Sequence, residues 1–229
     1  MVTYNKRYFQ SPEGAGNTSI EGLKDLPCLL EYLAPKPDEK ILDVGCGLGR
    51  LAEVIAEHGP EVTGIDISEY AISQAKERCK GREKLEFICM DALNMDFQGH
   101  FDKIICYHFI EHLTLPDARI LLRKMCSALK DGGTLVMGLP IEDGRFLRRA
   151  VHFMATRRKW QYLGHLVSYS IREIERELVS AGFAFDEICL LSYLGVKIPG
   201  WVPRISLIGL PVVCADIRAT KKEASESKL

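Results

Sequence analysis

The segment ILDVGCGLGR, residues 41–50, limits what this chain can fold into more than any other. An apolar run, Ile41 to Val44, leads through Asp43 into Gly45, Gly47 and Gly49, and apolar residues then recur at helical spacing at Leu51, Val54 and Ile55, with His58 on the same stripe, until Gly59 and Pro60 end the helix. A buried strand, a glycine turn and a helix in immediate succession form the start of a unit in which a ligand meets backbone where a side chain would obstruct it. The alternative for such a turn is a tight strand-to-helix connection with no ligand.

The same alternation continues downstream. Val62–Ile65 reads as strand two, and Ser68 caps a helix carrying Ile72, Ala75 and Cys79 on one face. Leu85–Cys89 and Asp102–Tyr107 read as strands three and four. Pro116 opens a helix with a buried stripe at Ala118, Leu121, Leu122, Met125 and Leu129; Asp131, Gly132 and Gly133 turn the chain into strand five, Thr134–Gly138. Ser170 and Glu173 form a capping-box pattern ahead of Ile174 and Leu178, with Gly182 as a stop; strand six lies near Phe185–Leu191 and a last strand at Pro211–Arg218. Strands alternating with helices predict an α/β protein with a mostly parallel sheet covered on both faces.

Two carboxylates extend the glycine turn into a candidate site. Asp66 ends strand two, where it can accept both hydroxyls of an adenosine ribose lying along the sheet's carboxyl edge. Asp91 follows strand three and suits the adenine amino group, with Ile67 and Ala92 as apolar faces for the ring; taken singly, Asp91 is more often a loop cap. A dinucleotide site would place a third glycine at position 50, where Arg50 stands, so a nicotinamide-dependent enzyme is the disfavoured alternative.

At these residues ILDVGCGLG, GIDIS, CMDAL, FDKIICYHFIEHL and LKDGGTLVMGLP resemble, in order and spacing, the successive motifs of the class I, Rossmann-like S-adenosylmethionine-dependent methyltransferases, nearest to the small-molecule "type 11" group. The resemblance spans roughly residues 40–140. It implies a three-layer sandwich: a seven-stranded, mostly parallel sheet with a reversed last strand and helices on both faces. S-adenosylmethionine is the implied cofactor, and an N-terminal helical segment is implied to lie over it. The resemblance assigns the glycine loop, Gly45, Cys46, Gly47 and Gly49 after Asp43, to the methionine portion, Asp66 to the ribose, and Asp91, with Ile67 and Ala92 beside the ring, to the adenine. Tyr107 and His108 would lie beside the transferable methyl group, and Tyr8 near the N-terminus would close over the cofactor. The implied division is a helical cap at 1–39, a cofactor-binding core at 40–140, a basic insertion or lid at 141–169, a C-terminal completion of the sheet at 170–221 and a polar tail at 222–229.

Methyl transfer from a sulfonium needs alignment and exclusion of water more than a protein nucleophile. A hydroxyl acceptor gains from a base, and His108, His112 and His165 are the candidates, each against a plain packing role. His108, Glu111 and His112 also spell H-x-x-E-H, an inverted zinc-protease pattern, and some similar quinone O-methyltransferases hold a divalent metal with E-x-x-E-H. Here His108 replaces the first glutamate of that pattern, and no metal ligand set is assigned.

Composition bounds the partners. Thirty basic residues against thirty-one acidic ones give a net charge of -1, and no Asp-Pro-Pro-Tyr-type motif follows strand four, which together argue against nucleic acid. The basic run Arg145, Arg148, Arg149, Arg157, Arg158 and Lys159, interleaved with an apolar stripe, reads either as a solvated helix face or as a lid for an anionic acceptor. Ile198–Leu210 suits an apolar, lipid-like acceptor or peripheral membrane contact, with simple packing as the alternative. The eight scattered cysteines include no C-x-x-C pair and read as reduced; the N-terminus lacks the apolar stretch of a signal peptide, and no segment reaches the ~18 apolar residues of a membrane span. The expectation is a cytoplasmic methyltransferase acting on a small-molecule or lipid-like acceptor, with a non-catalytic binding protein of the same fold as a further alternative.

Overall fold

The computed structural model describes residues 6, 26–141, 166–167, 169–192, 197–198 and 212–223. Tyr8, His165, the basic run 145–159 and residues 199–210 lie outside the described residues. Helices α1 (Leu26–Leu33), α2 (Arg50–Ala56), α3 (Glu69–Arg78), α4 (Leu115–Ala128) and α5 (Ile171–Ser180) surround strands β1 (Lys40–Val44), β2 (Glu61–Asp66), β3 (Leu85–Cys89), β4 (Phe101–Tyr107), β5 (Leu129–Leu139), β6 (Phe183–Ser192), β7 (Lys197–Ile198) and β8 (Val212–Lys221).

The sheet order is β3-β2-β1-β4-β5-β8-β6-β7. β1 to β5 run parallel, β8 is inserted antiparallel between β5 and β6, and the two-residue β7 adds an antiparallel edge. Without that short edge the sheet has the seven strands, with the last in sequence reversed, that the sequence led us to expect. An all-parallel dinucleotide fold has no such inserted strand.

Side-chain alternation divides the core into two faces. Leu42, Val44, Ile104, Cys106, Leu135 and Met137 point to the side packed by α4 and α5. Ile41, Ile105 and Val136 point to the side packed by α1, α2 and α3. In β1, Ile41 through Val44 are all buried, as expected of a central strand covered on both faces.

Local chemistry fixes most helix starts as expected. Ser68 Oγ accepts from Ala71 N, Thr114 Oγ1 from Asp117 N with Pro116 in the first turn, and Ser170 and Glu173 form the full capping box. Two details differ from expectation. α2 ends at Ala56 and its buried stripe is Leu51, Ala52 and Ile55, while His58 is exposed; Gly49 at φ 69° starts the helix one residue before Arg50 and sets its rotation. The turn at Asp131–Gly133 lies within β5, as an irregularity that shifts the pairing from Phe101↔Leu129 to Lys103↔Thr134. Gly132, at φ 72°, takes the left-handed conformation this needs.

The strand order reverses between β1 and β4, because β1 is followed by a crossover toward β2 and β4 by one toward β5. A ligand crevice opens at such a switch point, outside the carboxyl ends of the strands.

Candidate active site

The turn after β1 is tied to the carboxyl end of β2. Gly45 N and Cys46 N donate to the Ile65 carbonyl at 2.9 and 3.0 Å, and Gly47 N donates to Asp66 Oδ2 at 2.9 Å. Asp66 Oδ1 accepts from Ser68 N at 2.8 Å, so one carboxylate organises both the glycine turn and the start of α3. Each oxygen retains acceptor capacity for a further donor. Burial pushes the Asp66 carboxyl up, and the Ser68 and Gly47 amides oppose that shift.

Asp43, one strand over, is 2% exposed, and its Oδ2 has no hydrogen-bond partner. Burial raises its carboxyl to about 7, the charge of Asp66 adds to the effect, and a backbone hydrogen bond from Ala52 opposes it. A buried carboxyl with one oxygen lacking a partner, below a glycine turn, suits a cationic ligand group, which would supply that partner. Cys46 is buried beside it; burial and then the charges of Asp43 and Asp66 push its thiol well above the ordinary value, so it is a packing residue and no nucleophile.

The cradle depends on close approach. A Cβ at Gly45 would stand 2.5 Å from Phe109 Cδ2, and one at Gly49 would stand 2.5 Å from Phe87 Cε1; both glycines have positive φ. Phe109, in the turn after β4, thus packs on the glycine loop. Arg78 holds the loop from the α3 side by donating to the Leu48 carbonyl while pairing with Glu53 at 3.0 Å.

Asp91 behaves as the cap that its type suggests. Its Oδ1 accepts from Leu93 N at 2.9 Å and its Oδ2 from Asn94 at 3.2 Å, which fixes the short 3-10 turn Ala92–Asn94. Ala92 is buried, while Ile67 is 55% exposed directly after Asp66, an apolar side chain left open at the carboxyl edge.

Past β4, Tyr107 packs against Gly138, where a Cβ would meet the Tyr107 ring. His108 takes φ 49°, its amide donates to the Gly138 carbonyl at 2.8 Å, and its Nδ1 lies 3.1 Å from Glu111 Oε1. Glu111 is fully buried in the 3-10 turn Ile110–His112. H-x-x-E-H therefore does not lie along a helix, and among the described residues no group of three or more His, Cys, Asp or Glu side chains gathers as a metal site.

The structure thus brings Asp43, Gly45, Cys46, Gly47, Gly49, Asp66, Ile67, Asp91, Ala92, Tyr107, His108 and His112 to the carboxyl ends of β1–β4 or the turns that follow them. Phe109, the Arg78–Glu53 pair and the Glu111–His108 contact had gone unnoticed in the sequence. A glycine whose missing side chain makes room for an aromatic 64 residues later leaves no local pattern; the capped helix α3 with Arg78 in its last turn was the nearest signal.

Comparison with known proteins agrees with this geometry. Residues 41–133 match the family model described as a methyltransferase domain. A ubiquinone biosynthesis O-methyltransferase of Coxiella burnetii is 36% identical over 115 residues, covering 48% of this chain and 48% of that protein. The chain thus spans about half the length of the curated relatives it matches. Among solved structures, a chain of the Haloferax volcanii complex between the Trm112 methyltransferase activator and a methyltransferase superposes with TM-score 0.72 at 13% identity, covering 97% of this chain and 100% of that one. Magnesium protoporphyrin IX methyltransferase of Synechocystis with bound S-adenosylhomocysteine gives 0.67 at 15% identity, covering 95% and 92%. Those two likenesses concern the fold. Residues 41–133 thus match a methyltransferase domain, and the glycine turn and Asp66 lie within that match.

Proposed function

We propose that this protein transfers the methyl group of S-adenosylmethionine to a hydroxyl oxygen of a small-molecule acceptor. The observation that carries the reading is Asp66, whose carboxylate closes β2, grips Gly47 of the turn and stands next to the open face of Ile67. In this reading the turn Gly45–Gly49 takes the methionine portion and the Asp43 carboxyl receives its ammonium charge. Asp66 holds the ribose hydroxyls, and Ile67, Asp91 and Ala92 border the adenine. When bound, the cofactor supplies an activated methyl on a sulfonium whose departure needs no acid from the protein; the chain's task is alignment, exclusion of water and acceptance of a proton. His108, His112 and His165 are the bases proposed for that last step, and Tyr8 is proposed to close over the cofactor. The basic run at 145–159 favours an anionic acceptor, and the apolar stretch 198–210 a lipid-like one.

Oxygen as the receiving atom is supported by the curated relatives, whose name is that of an O-methyltransferase. The test is transfer of labelled methyl from S-adenosylmethionine, by the full chain, to a panel of catechols, hydroquinones, phospholipid precursors and small acids. Label on a hydroxyl acceptor is the expected result. Binding of S-adenosylhomocysteine with no labelled product from any acceptor would favour a binding protein that has kept the fold, and binding of NAD in its place would contradict the reading.

A further inference from the structure

Three of the five residues in the turn Gly45–Gly49 are glycine, so this segment has more backbone entropy to lose than an ordinary loop of its length. A turn that sampled many shapes would bind a cofactor only through the fraction that matches, and its apparent affinity would fall by that fraction. Contacts that hold the turn before anything binds therefore set affinity without touching the ligand.

Such contacts converge on the turn along the whole length of α3. At the start of the helix, Asp66 Oδ1 accepts from Ser68 N while its Oδ2 accepts from Gly47 N. In the middle, Ala75 is fully buried, and a Cβ at Gly49 would stand 3.0 Å from the Ala75 Cβ, so a small side chain lets the helix lie against the turn. At the end, Arg78, three residues on from Ala75 and so on the same side of the helix, donates from Nη2 to the Leu48 carbonyl and from Nε to Glu53 Oε2 at 3.0 Å. The peptide unit joining Leu48 to Gly49 is thus held at both ends, because Gly49 N donates to the Cys46 carbonyl at 2.8 Å. Glu53 lies in the first turn of α2, and its own amide donates to the Gly49 carbonyl at 3.0 Å. Arg78 therefore ties the glycine turn to both the helix it opens and the helix beside it.

The planar guanidinium places two donors in a fixed fork and makes both contacts at once, whereas a lysine is a single point of charge. The Arg78 and Glu53 side chains are 28% and 17% exposed, so water competes less for this pair than for one on the open surface. Arg82 supplies a contrast. Its Nη2 pairs with Glu53 Oε1 at 2.9 Å and its Nη1 with Glu57 Oε1 at 3.8 Å, but among the described residues it makes no hydrogen bond to the glycine turn. We infer that Arg78 is a positioning residue for cofactor affinity: by holding the Leu48 carbonyl against α3 it keeps the glycine turn in its binding shape before the cofactor arrives. The inference rests on the reading of this turn as the seat of S-adenosylmethionine.

The test combines calorimetry of S-adenosylhomocysteine with hydrogen exchange of the Gly49 amide, followed by nitrogen-15 NMR. It compares the full parent chain with Arg78→Met, Arg78→Lys and Arg82→Met. In the parent without ligand, the Gly49 amide should exchange slowly. Arg78→Met should lose roughly tenfold in affinity and exchange Gly49 faster when unliganded, with slow exchange restored at saturating S-adenosylhomocysteine. Arg78→Lys, which can keep one of the two contacts, should fall between. Arg82→Met loses ion pairs to the same glutamate, yet should keep the parent's affinity and Gly49 exchange. Fast Gly49 exchange in the unliganded parent, an Arg78→Met affinity equal to the parent's, or equal losses in Arg78→Met and Arg82→Met would overturn the proposal. If Arg78→Met does not fold, an Arg78→Lys affinity equal to the parent's overturns it instead. Failure of the parent to bind S-adenosylhomocysteine counts against the cofactor reading, and the proposal falls with it; parent binding that Arg78→Met leaves unmoved counts against Arg78 alone.

Discussion

At the scale of single residues, the site is a set of close approaches around two buried carboxyls. Gly45 has φ 76°, and Phe109 occupies the space a Cβ would need. Gly45→Ala should therefore lower unfolding free energy by roughly 1–3 kcal/mol in urea titrations, and weaken S-adenosylhomocysteine binding as the turn shifts. Asp43 gives a pH dependence. Its folded carboxyl is raised to about 7 from 3.8, so the native state holds this proton after the unfolded chain has released it. Stability from this group is complete below about pH 3.8 and is lost as pH rises through 7. Asp43→Asn removes that loss, so its melting temperature minus that of the parent should grow from pH 5 to pH 8, by an amount on the order of a few kcal/mol in stability. A difference that stays flat with pH would show that Asp43 is ionised in the folded protein throughout that range. Asp43, Asp66 and the glycines were legible in the sequence because each sits at a fixed offset from a strand end. Phe109 and the Glu111–His108 pair were not, since their roles arise only from how two distant turns meet.

At the scale of elements, the start signals were readable and the rotations less so. Ser68, Thr114 and Ser170 cap helices through the hydrogen bonds their residue types offer. Ser170→Ala removes the side-chain arm of the capping box while the backbone N–H of residue 170 can still donate to Glu173, and should cost about 1 kcal/mol, read from denaturant midpoints, with no change in S-adenosylhomocysteine affinity, because α5 packs away from the glycine turn. Periodicity alone puts His58 on a buried stripe. The actual helix is two turns long and starts from a left-handed glycine, so a stripe projected past Ala56 follows a helix that has already ended. β5 shows a similar limit: Gly132 and Gly133 look like the end of a turn in sequence, yet the chain keeps pairing on both sides of them.

At the scale of the whole molecule, strand order decides where a ligand can go. Parallel connections were implied by the alternation of strands and helices and the reversal of the last strand by the family resemblance, whereas the place of β8 between β5 and β6 is given only by the structure, because nothing in a strand's own residues states its neighbours or direction. The reversal of order between β1 and β4 brings the glycine turn, Asp66 and the His108 turn to one edge, three elements separated in sequence that no single motif joins. Among the described residues no helix is long and apolar enough to cross a membrane. The central claim is that this edge holds a sulfonium nucleoside with Asp66 on its sugar. Calorimetry of S-adenosylhomocysteine with the parent chain and with Asp66→Ala tests it most directly. The account predicts saturable one-to-one binding to the parent and a loss of at least about tenfold, some 1.4 kcal/mol, in the variant; equal affinity in the two proteins would contradict it.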